Sequence, residues 1–390
     1  IYTYMIIIGA GYGDEGKGLA VSKQVHDKSI HGIPLVVRFN GGGQAGHTVV
    51  MPDGRRHVHS NLGSGSLQNA DTLWLKYCTF DPGATFTEMN AIGFNQKFYV
   101  DGLCPVVTPY DIYLNQNNSV YEKNGTVGCG IGTTFRREEN HYHLTVLDIL
   151  TSPILNFKLE KIAEYYRFDR RALEFLEPAI IQFKQYCELI ADKITVMNDD
   201  NIHILMIHAY NANRLIFEGA QGILLDQFHG IFPNVTRSFT TSKNAVEALS
   251  LNQEVMYVSR VYHTRHGNGP WSGDLLGTSI RDLLPLRNNE NETNKPHQFQ
   301  GQFKTSLLDL RFLNHSLRVD NAYASDNFFS KNLLLTCIDQ IDPSGNLWIV
   351  NSSGKLQEIH FAEIPKYLNT KFDNVYISKG PSYNHIEQIS

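Results

Sequence analysis

The feature that most constrains this chain lies near its start. The apolar run Tyr4–Ile8 passes directly into GAGYGDEGKGLA, residues 9–20. A buried strand, a glycine-rich turn and a helix start together make a phosphate-binding loop. The glycines let backbone N–H groups approach phosphate oxygens, and the helix N-terminus adds positive potential. Gly11, Gly16 and Lys17 keep the usual spacing, which places Lys17 on the β/γ-phosphates of a nucleotide. Gly13 and Gly16 belong to the same cradle. Gly18, however, stands where a Ser or Thr hydroxyl would hold Mg²⁺. Two carboxylates, Asp14 and Glu15, also lie inside a loop meant for anions. A carboxylate beside phosphates is repelled unless a cation or a substrate proton lies between them. Asp14 is therefore expected to be a Mg²⁺ ligand, a general base, or both. Glu15 is expected to satisfy N–H groups at the helix start.

Further strands are read at 34–39, 214–220, 254–263, 332–339, 347–353 and 374–380. Helical patterning covers 158–195, bent near Pro178, and 242–251, with Ser242 as N-cap. Interleaved strands and helices predict an α/β fold. Its large central sheet would be mostly parallel, with helices on both faces and smaller helical insertions. No internal repeat or clean boundary divides the chain, so 1–390 is read as a single domain. The polar stretch 285–303 is read as a mobile substrate loop. The four residues before Met5 are compatible with a cloning remnant.

Bulk composition narrows the function classes. A net charge of -5 and the lack of a long basic run exclude a general nucleic-acid surface. No apolar stretch reaches the length of a membrane span. The five cysteines are scattered without a CxxC pair, which fits reduced thiols and a cytoplasmic protein, in the host cytoplasm if phage-encoded. The HVH (57–59) and HYH (141–143) pairs lack Cys or Glu partners at metal-site spacing, and are not read as a metal centre.

Two more stretches carry chemistry. RFNGGGQAGHTVV, residues 38–50, holds four glycines and then His47. A histidine after a glycine-dense turn can reach a ligand and stabilise a transferring phosphoryl group. In FEGAQGILLDQFHGIFPNVTRS, residues 217–238, Gln221 falls at the carboxyl end of a strand, where α/β sheets bind ligands. Its amide can both donate to and accept from a purine edge.

Together, GDEGKG, GGxxAGHTVV and FEGAQGxLLDxxxGxxPxVT resemble the adenylosuccinate synthetase family. GIG (130–132), HTRHGNGPW (263–271), LTCID (335–339) and SKGPS (378–382) extend the resemblance over nearly the whole chain. It implies that a triphosphate phosphorylates a purine 6-oxo group and that the amino group of L-aspartate then displaces the phosphate. Asp14 matches the residue that takes the N1 proton and binds Mg²⁺; a backbone carbonyl at Gly46 matches the second metal contact. His47 matches the catalytic histidine, Lys17 the loop lysine and Gln221 the residue that bonds the base. Thr126 and Thr236 match binders of the 5′-phosphate. Thr48, Asp339, Ser378 and Gly380 fall in the triphosphate site. A homodimer is also implied.

The chain departs from the ordinary family pattern in several places. Gln44 replaces Asn, and Gln302 and Lys304 replace arginines of the aspartate loop. His266 replaces Val near the ribose, and Cys337 replaces the lysine before Asp339. Arg136 and Arg137 are expected to supply phosphate charge, across a dimer interface. These departures resemble the phage branch, which joins aspartate to dGMP, and they make ATP or dATP a plausible donor. Several viral members carry Ser at the position of Asp14, whereas this chain keeps Asp. Acting on IMP with GTP is the alternative, and a catalytically inert nucleotide-binding paralogue is another.

Overall fold

The computed structural model describes residues 3–117, 126–273, 283–290, 292, 294, 299, 301–324 and 328–390. Chain order begins with β1 (Tyr4–Gly9), β2 (Leu35–Arg38), the hairpin β3 (His47–Val50) and β4 (Arg56–His59), then β5 (Asp71–Trp74) and β6 (Phe98–Asp101). It continues with β7 (Thr195–Met197), β8 (Leu215–Gly222), β9 (Gln253–Arg260), β10 (Tyr262–His266), β11 (Phe303–Asp309) and β12 (Phe328–Thr336). The last strands are β13 (Asn346–Val350), β14 (Leu356–His360), β15 (Asn374–Ser378) and β16 (Ile386–Gln388). Ten of them form one sheet in the order β16-β15-β12-β9-β1-β8-β2-β5-β6-β7. Every neighbouring pair in it is parallel except β15–β16. A second sheet joins β10, β11, β13 and β14.

The apolar run of β1 explains its place in the sheet. All six of its residues are buried, as befits a parallel strand covered on both faces. Tyr4, Ile6 and Ile8 enter one apolar cluster, and Met5 and Ile7 enter the other. This is the period-two alternation of a strand. The helix Lys17–Lys28 covers the second face through Ala20, Val21 and Val25. Fully burying a valine side chain of this kind contributes about 1.5–3 kcal/mol. Since the strands are parallel, the turns after β1, β2, β8, β9, β12 and β15 share one edge of the sheet. Open α/β sheets bind ligands in the crevice at this edge.

Some local expectations change. The stretch 158–195 is two helices, Ser152–Tyr166 and Arg170–Ala191. The break comes at Arg167, in a left-handed conformation (φ 55°), and Pro178 lies inside the second helix. Ser242 does not cap its helix with its side chain; its backbone N–H donates to Asp320 at 2.6 Å instead. The strand read at 254–263 divides at Val261 into β9 and β10, which belong to different sheets. Tyr4 is fully buried in β1, and its hydroxyl donates to the Leu249 carbonyl at 2.5 Å. Ile1 and Tyr2 lie outside the described residues. No helix among the described residues is long and apolar enough to cross a membrane.

Candidate active site

At the carboxyl edge of the large sheet lies a cavity of about 660 Å³. Its lining collects Gly13 and Asp14 from the first loop and Gln44, Gly46, His47 and Thr48 from the second. Thr126, Arg136, Gln221, Thr236 and His266 complete the set that the sequence had singled out there. Atoms buried at this site without a hydrogen-bond partner among the described residues include His47 Nε2, Gln44 Oε1, Gln221 Oε1 and His266 Nδ1. Orphaned buried polar atoms are costly unless a ligand takes them up.

The first loop is closed on itself. Glu15 is 4% exposed. Its Oε1 accepts the Gly13 N–H at 2.6 Å, and its Oε2 pairs with Lys17 Nζ at 3.1 Å. Lys17 also donates to the Gly13 carbonyl at 2.7 Å. A Cβ at Gly11 would come within 2.7 Å of Glu15 Oε1, so the carboxylate lies in the cradle that a phosphate would use. The expectation that Glu15 satisfies N–H groups holds for Gly13, inside the loop. Thr336 and Arg260 fasten the loop from below, donating to the carbonyls of Glu15 (2.7 Å) and Asp14 (2.5 Å). Gly16 adopts φ 99° at the helix N-cap, a conformation that favours glycine. The absent hydroxyl at Gly18 has a steric reason. A Cβ there would lie 3.0 Å from the Thr48 carbonyl and 3.1 Å from His47 Cβ.

Asp14 faces the cavity beside His266, whose Nε2 is 3.6 Å from Asp14 Oδ2. Burial raises the Asp14 carboxyl above the usual range; Glu15 adds to this, while His266, Arg260 and Lys17 oppose it. A raised carboxyl suits a general base better than an ordinary one, because its proton affinity is closer to that of the group it deprotonates.

His47 is 5% exposed, and its Nδ1 bonds Glu218 Oε1. Burial pushes the imidazole down to about 4, against the pull of Glu218. Glu218 is fully buried. Burial alone would raise its carboxyl, but His47, Arg38 and Ser64 hold it down to about 2. Sequence reasoning missed Glu218, which lies within FEGAQG beside the motif residue Gln221. It also missed Arg237 and Arg265 in the cavity lining. Arg237 pairs with Glu139 at 2.6 Å, and the Arg265 guanidinium lies 4.4 Å over the Tyr12 ring.

Several predicted residues fall elsewhere. Arg137 is a correction: it is fully buried, and its guanidinium pairs with Asp111 (3.1 Å) and Glu138 (2.7 Å) and donates to the Val106 carbonyl (2.8 Å). Its donors are spent on the fold and cannot reach a substrate phosphate. Gln302 and Lys304 are outside the cavity lining, on the hairpin that carries His266. Gln302 is exposed, and Lys304 Nζ lies 5.8 Å from the Trp271 ring. Asp339 follows β12, Ser378 ends β15 and Gly380 follows it, on the same sheet edge as the first loop. Burial raises the Asp339 carboxyl, with its own backbone and His385 opposing. Of the stretch 285–303, residues 291, 293, 295–298 and 300 lie outside the described residues. The described part spans the site. Arg287 N–H and Asn288 Nδ2 donate to the carbonyls of Gln340 (2.8 Å) and Asp339 (3.1 Å). Glu292 pairs with Arg260 (2.7 Å), and Asn294 Oδ1 lies 3.2 Å from His266 Nε2.

The donor set fits Mg²⁺ in one specific way. Among the described residues, no three His, Cys, Asp or Glu side chains gather as a metal cage. One carboxylate at Asp14 and one carbonyl at Gly46 border the same cavity. Such hard oxygen donors suit Mg²⁺, which commonly completes its shell with substrate phosphates and water.

Comparison with known proteins agrees with this architecture. A family model described as adenylosuccinate synthetase matches residues 6–344. The adenylosuccinate synthetase of Marinomonas sp. is 27% identical over 373 residues, covering 88% of this chain and 81% of that protein. That of Haemophilus influenzae Rd is 32% identical over 287 residues, covering 70% of this chain and 65% of its own length. Among solved structures, the fully ligated adenylosuccinate synthetase from Plasmodium falciparum superposes with a TM-score of 0.75 at 18% identity, over 100% of both chains. The succinoaminodeoxyadenylate synthetase of cyanophage S-2L, bound to dGMP and dATP, superposes with a TM-score of 0.63 at 16% identity, over 100% of this chain and 95% of that one. The chain belongs to the adenylosuccinate synthetase family of C–N ligases.

Proposed function

We propose that this protein joins L-aspartate to C6 of dGMP, with ATP or dATP as phosphoryl donor, to give N6-succino-2-amino-2′-deoxyadenylate. The observation that carries the reading is the convergence of Asp14, His47 and Gln221 on one cavity beside the phosphate loop. Asp14 takes the N1 proton, so that O6 gains the electron density to attack the γ-phosphorus. The nucleoside diphosphate leaves. The aspartate amine then attacks C6, and O6 departs with the phosphate. A purine 6-oxo oxygen is both a poor nucleophile and a poor leaving group, and these two steps correct each fault in turn.

This chain's residues mainly position and neutralise. Lys17 leaves Glu15 for the β/γ-phosphates. His47 Nε2 faces the transferred phosphoryl group, Gln221 bonds the base, and Thr126, Thr236 and Arg136 hold the 5′-phosphate. Arg136 would do so within a homodimer. Asp14 and Gly46 would hold Mg²⁺, which would supply charge neutralisation for the phosphates. The Asp14 carboxylate has two oxygens and can accept from both N1–H and the 2-amino group of guanine. The likeness to the S-2L enzyme, whose ligands are dGMP and dATP, supports this substrate choice, as do Gln302 and Cys337, uncharged where the resemblance implies an arginine and a lysine.

IMP with GTP is the second reading, favoured by the retained Asp14 and Asp339 and by the sequence relatives. A phosphate-release assay with L-aspartate, Mg²⁺ and ATP, comparing dGMP, GMP and IMP at equal concentration, separates them. Turnover dominated by dGMP is expected. Turnover with IMP alone would make this a divergent adenylosuccinate synthetase.

A further inference from the structure

We propose that Glu218 is a positioning residue for His47: its carboxylate accepts a hydrogen bond from Nδ1–H of the imidazole and thereby leaves Nε2 for the transferred phosphoryl group. The inference rests on the reading that His47 acts on that group.

The sheet register builds the device. Strands β2 and β8 are parallel neighbours, and Arg38 and Glu218 are partners in the ladder. Two opposite charges thus stand side by side where β2 ends, both fully buried. The Arg38 guanidinium lies 5.1 Å over the Trp74 ring, and its Nη1 donates to the Leu62 carbonyl at 3.4 Å. Glu218 Oε2 accepts the Ser64 N–H at 2.9 Å, while Oε1 takes both the Ser64 hydroxyl and His47 Nδ1. Desolvating a carboxylate at this depth costs several kcal/mol. Three donors and a neighbouring guanidinium offset that cost.

The geometry fixes the imidazole. An ionised carboxylate can only accept, so the nitrogen facing it carries hydrogen. The ring is held between Glu218 and the cavity, and Nε2 is left buried and unpartnered among the described residues. Nε2 is therefore the nitrogen left to meet a ligand, whichever charge the ring carries. Glu218, Ser64 and Arg38 do not line the cavity, so Glu218 acts only through the ring. The arrangement parallels the carboxylate–histidine pairs that orient catalytic imidazoles elsewhere.

The test has two arms. In ¹⁵N-labelled, ligand-free protein, the imidazole nitrogen shifts report which nitrogen of His47 is protonated. The expected result is the Nδ1–H form, changing to a mixture or to Nε2–H in Glu218→Gln. An Nε2–H form in the unmutated protein overturns the proposal. This arm needs neither substrate nor variant, so it stands if Glu218→Gln does not fold. In the second arm, Glu218→Gln should lower kcat roughly 10- to 100-fold, with each KM within about threefold. Glu218→Asp should recover part of the loss. A wild-type kcat in Glu218→Gln overturns the proposal. Absence of any turnover in the unmutated protein, with the Nδ1–H form present, would instead count against the proposed function.

Discussion

Lys17 Nζ lies 3.1 Å from Glu15 Oε2, inside the loop that the sequence marks for phosphate. The lysine is fully buried and the carboxylate side chain is 5% exposed. Breaking a buried pair by removing one partner costs about 3–5 kcal/mol, because the other charge is left uncompensated. Lys17→Met should therefore destabilise the protein by about that much, and Lys17→Met/Glu15→Gln should recover most of it. Urea unfolding of the two single variants and the double variant checks this. Additive losses would show that the pair is not energetically coupled.

Asp14 is expected to be needed for chemistry and dispensable for triphosphate binding. Asp14→Asn should cut kcat by about 10²–10⁴ while ATP binding by calorimetry in the absence of Mg²⁺ stays near wild type. A variant with full turnover would remove Asp14 from its role as base.

The His266–Asp14 contact predicts a pH effect. His266 is the first of the charges that hold the Asp14 carboxyl down against burial. In His266→Val that restraint is gone and the carboxyl rises further. A base with a raised carboxyl loses its active, ionised form at higher pH. The acid limb of the kcat/KM profile should therefore move to higher pH. An unmoved limb would mean that the 3.6 Å contact has no electrostatic weight.

Restoring the usual hydroxyl should harm rather than help. Gly18→Ser places a side chain against the Thr48 carbonyl and His47 Cβ. Overpacking of this kind costs about 1–3 kcal/mol. A lowered melting temperature and weaker turnover are expected; unchanged stability with improved turnover would contradict the steric account of Gly18.

Acid stability follows from two histidines. Burial pushes His47 and His59 from 6.5 down to about 4 each. Between those values the unfolded chain binds these protons and the folded chain does not. Stability should thus fall as pH drops from about 6.5 to about 4, with nearly two protons taken up on unfolding. His59→Gln should reduce that uptake by about one proton. Equilibrium unfolding across this range measures it, and a flat profile would contradict the burial argument.

Much of the site was legible because local sequence patterns carried it. Continuous apolar runs marked β1 and β8, and glycine-rich turns marked where their ends would bind a ligand. What was not legible depended on long-range placement. Arg136 and Arg137 are adjacent on the helix Ile131–Glu139, so their side chains leave it about 100° apart. One reaches the cavity and the other is buried against Asp111. Nothing in the dipeptide says which. Glu218 lies 171 positions from His47, on β8 of the large sheet while His47 opens β3 of a separate hairpin, so only the tertiary fold brings them together. The break at Arg167 carries no Gly or Pro to announce it, so two helices read as one.

The most direct test of the central claim follows an oxygen atom. If O6 of the purine is phosphorylated by way of Asp14 and then expelled, that oxygen must leave in the phosphate. Turnover of dGMP carrying ¹⁸O at the 6-position, with ATP, Mg²⁺ and L-aspartate, should release phosphate bearing one ¹⁸O, as read by mass spectrometry. Unlabelled phosphate accompanying product would show that the bond to O6 is not made, and would contradict the account.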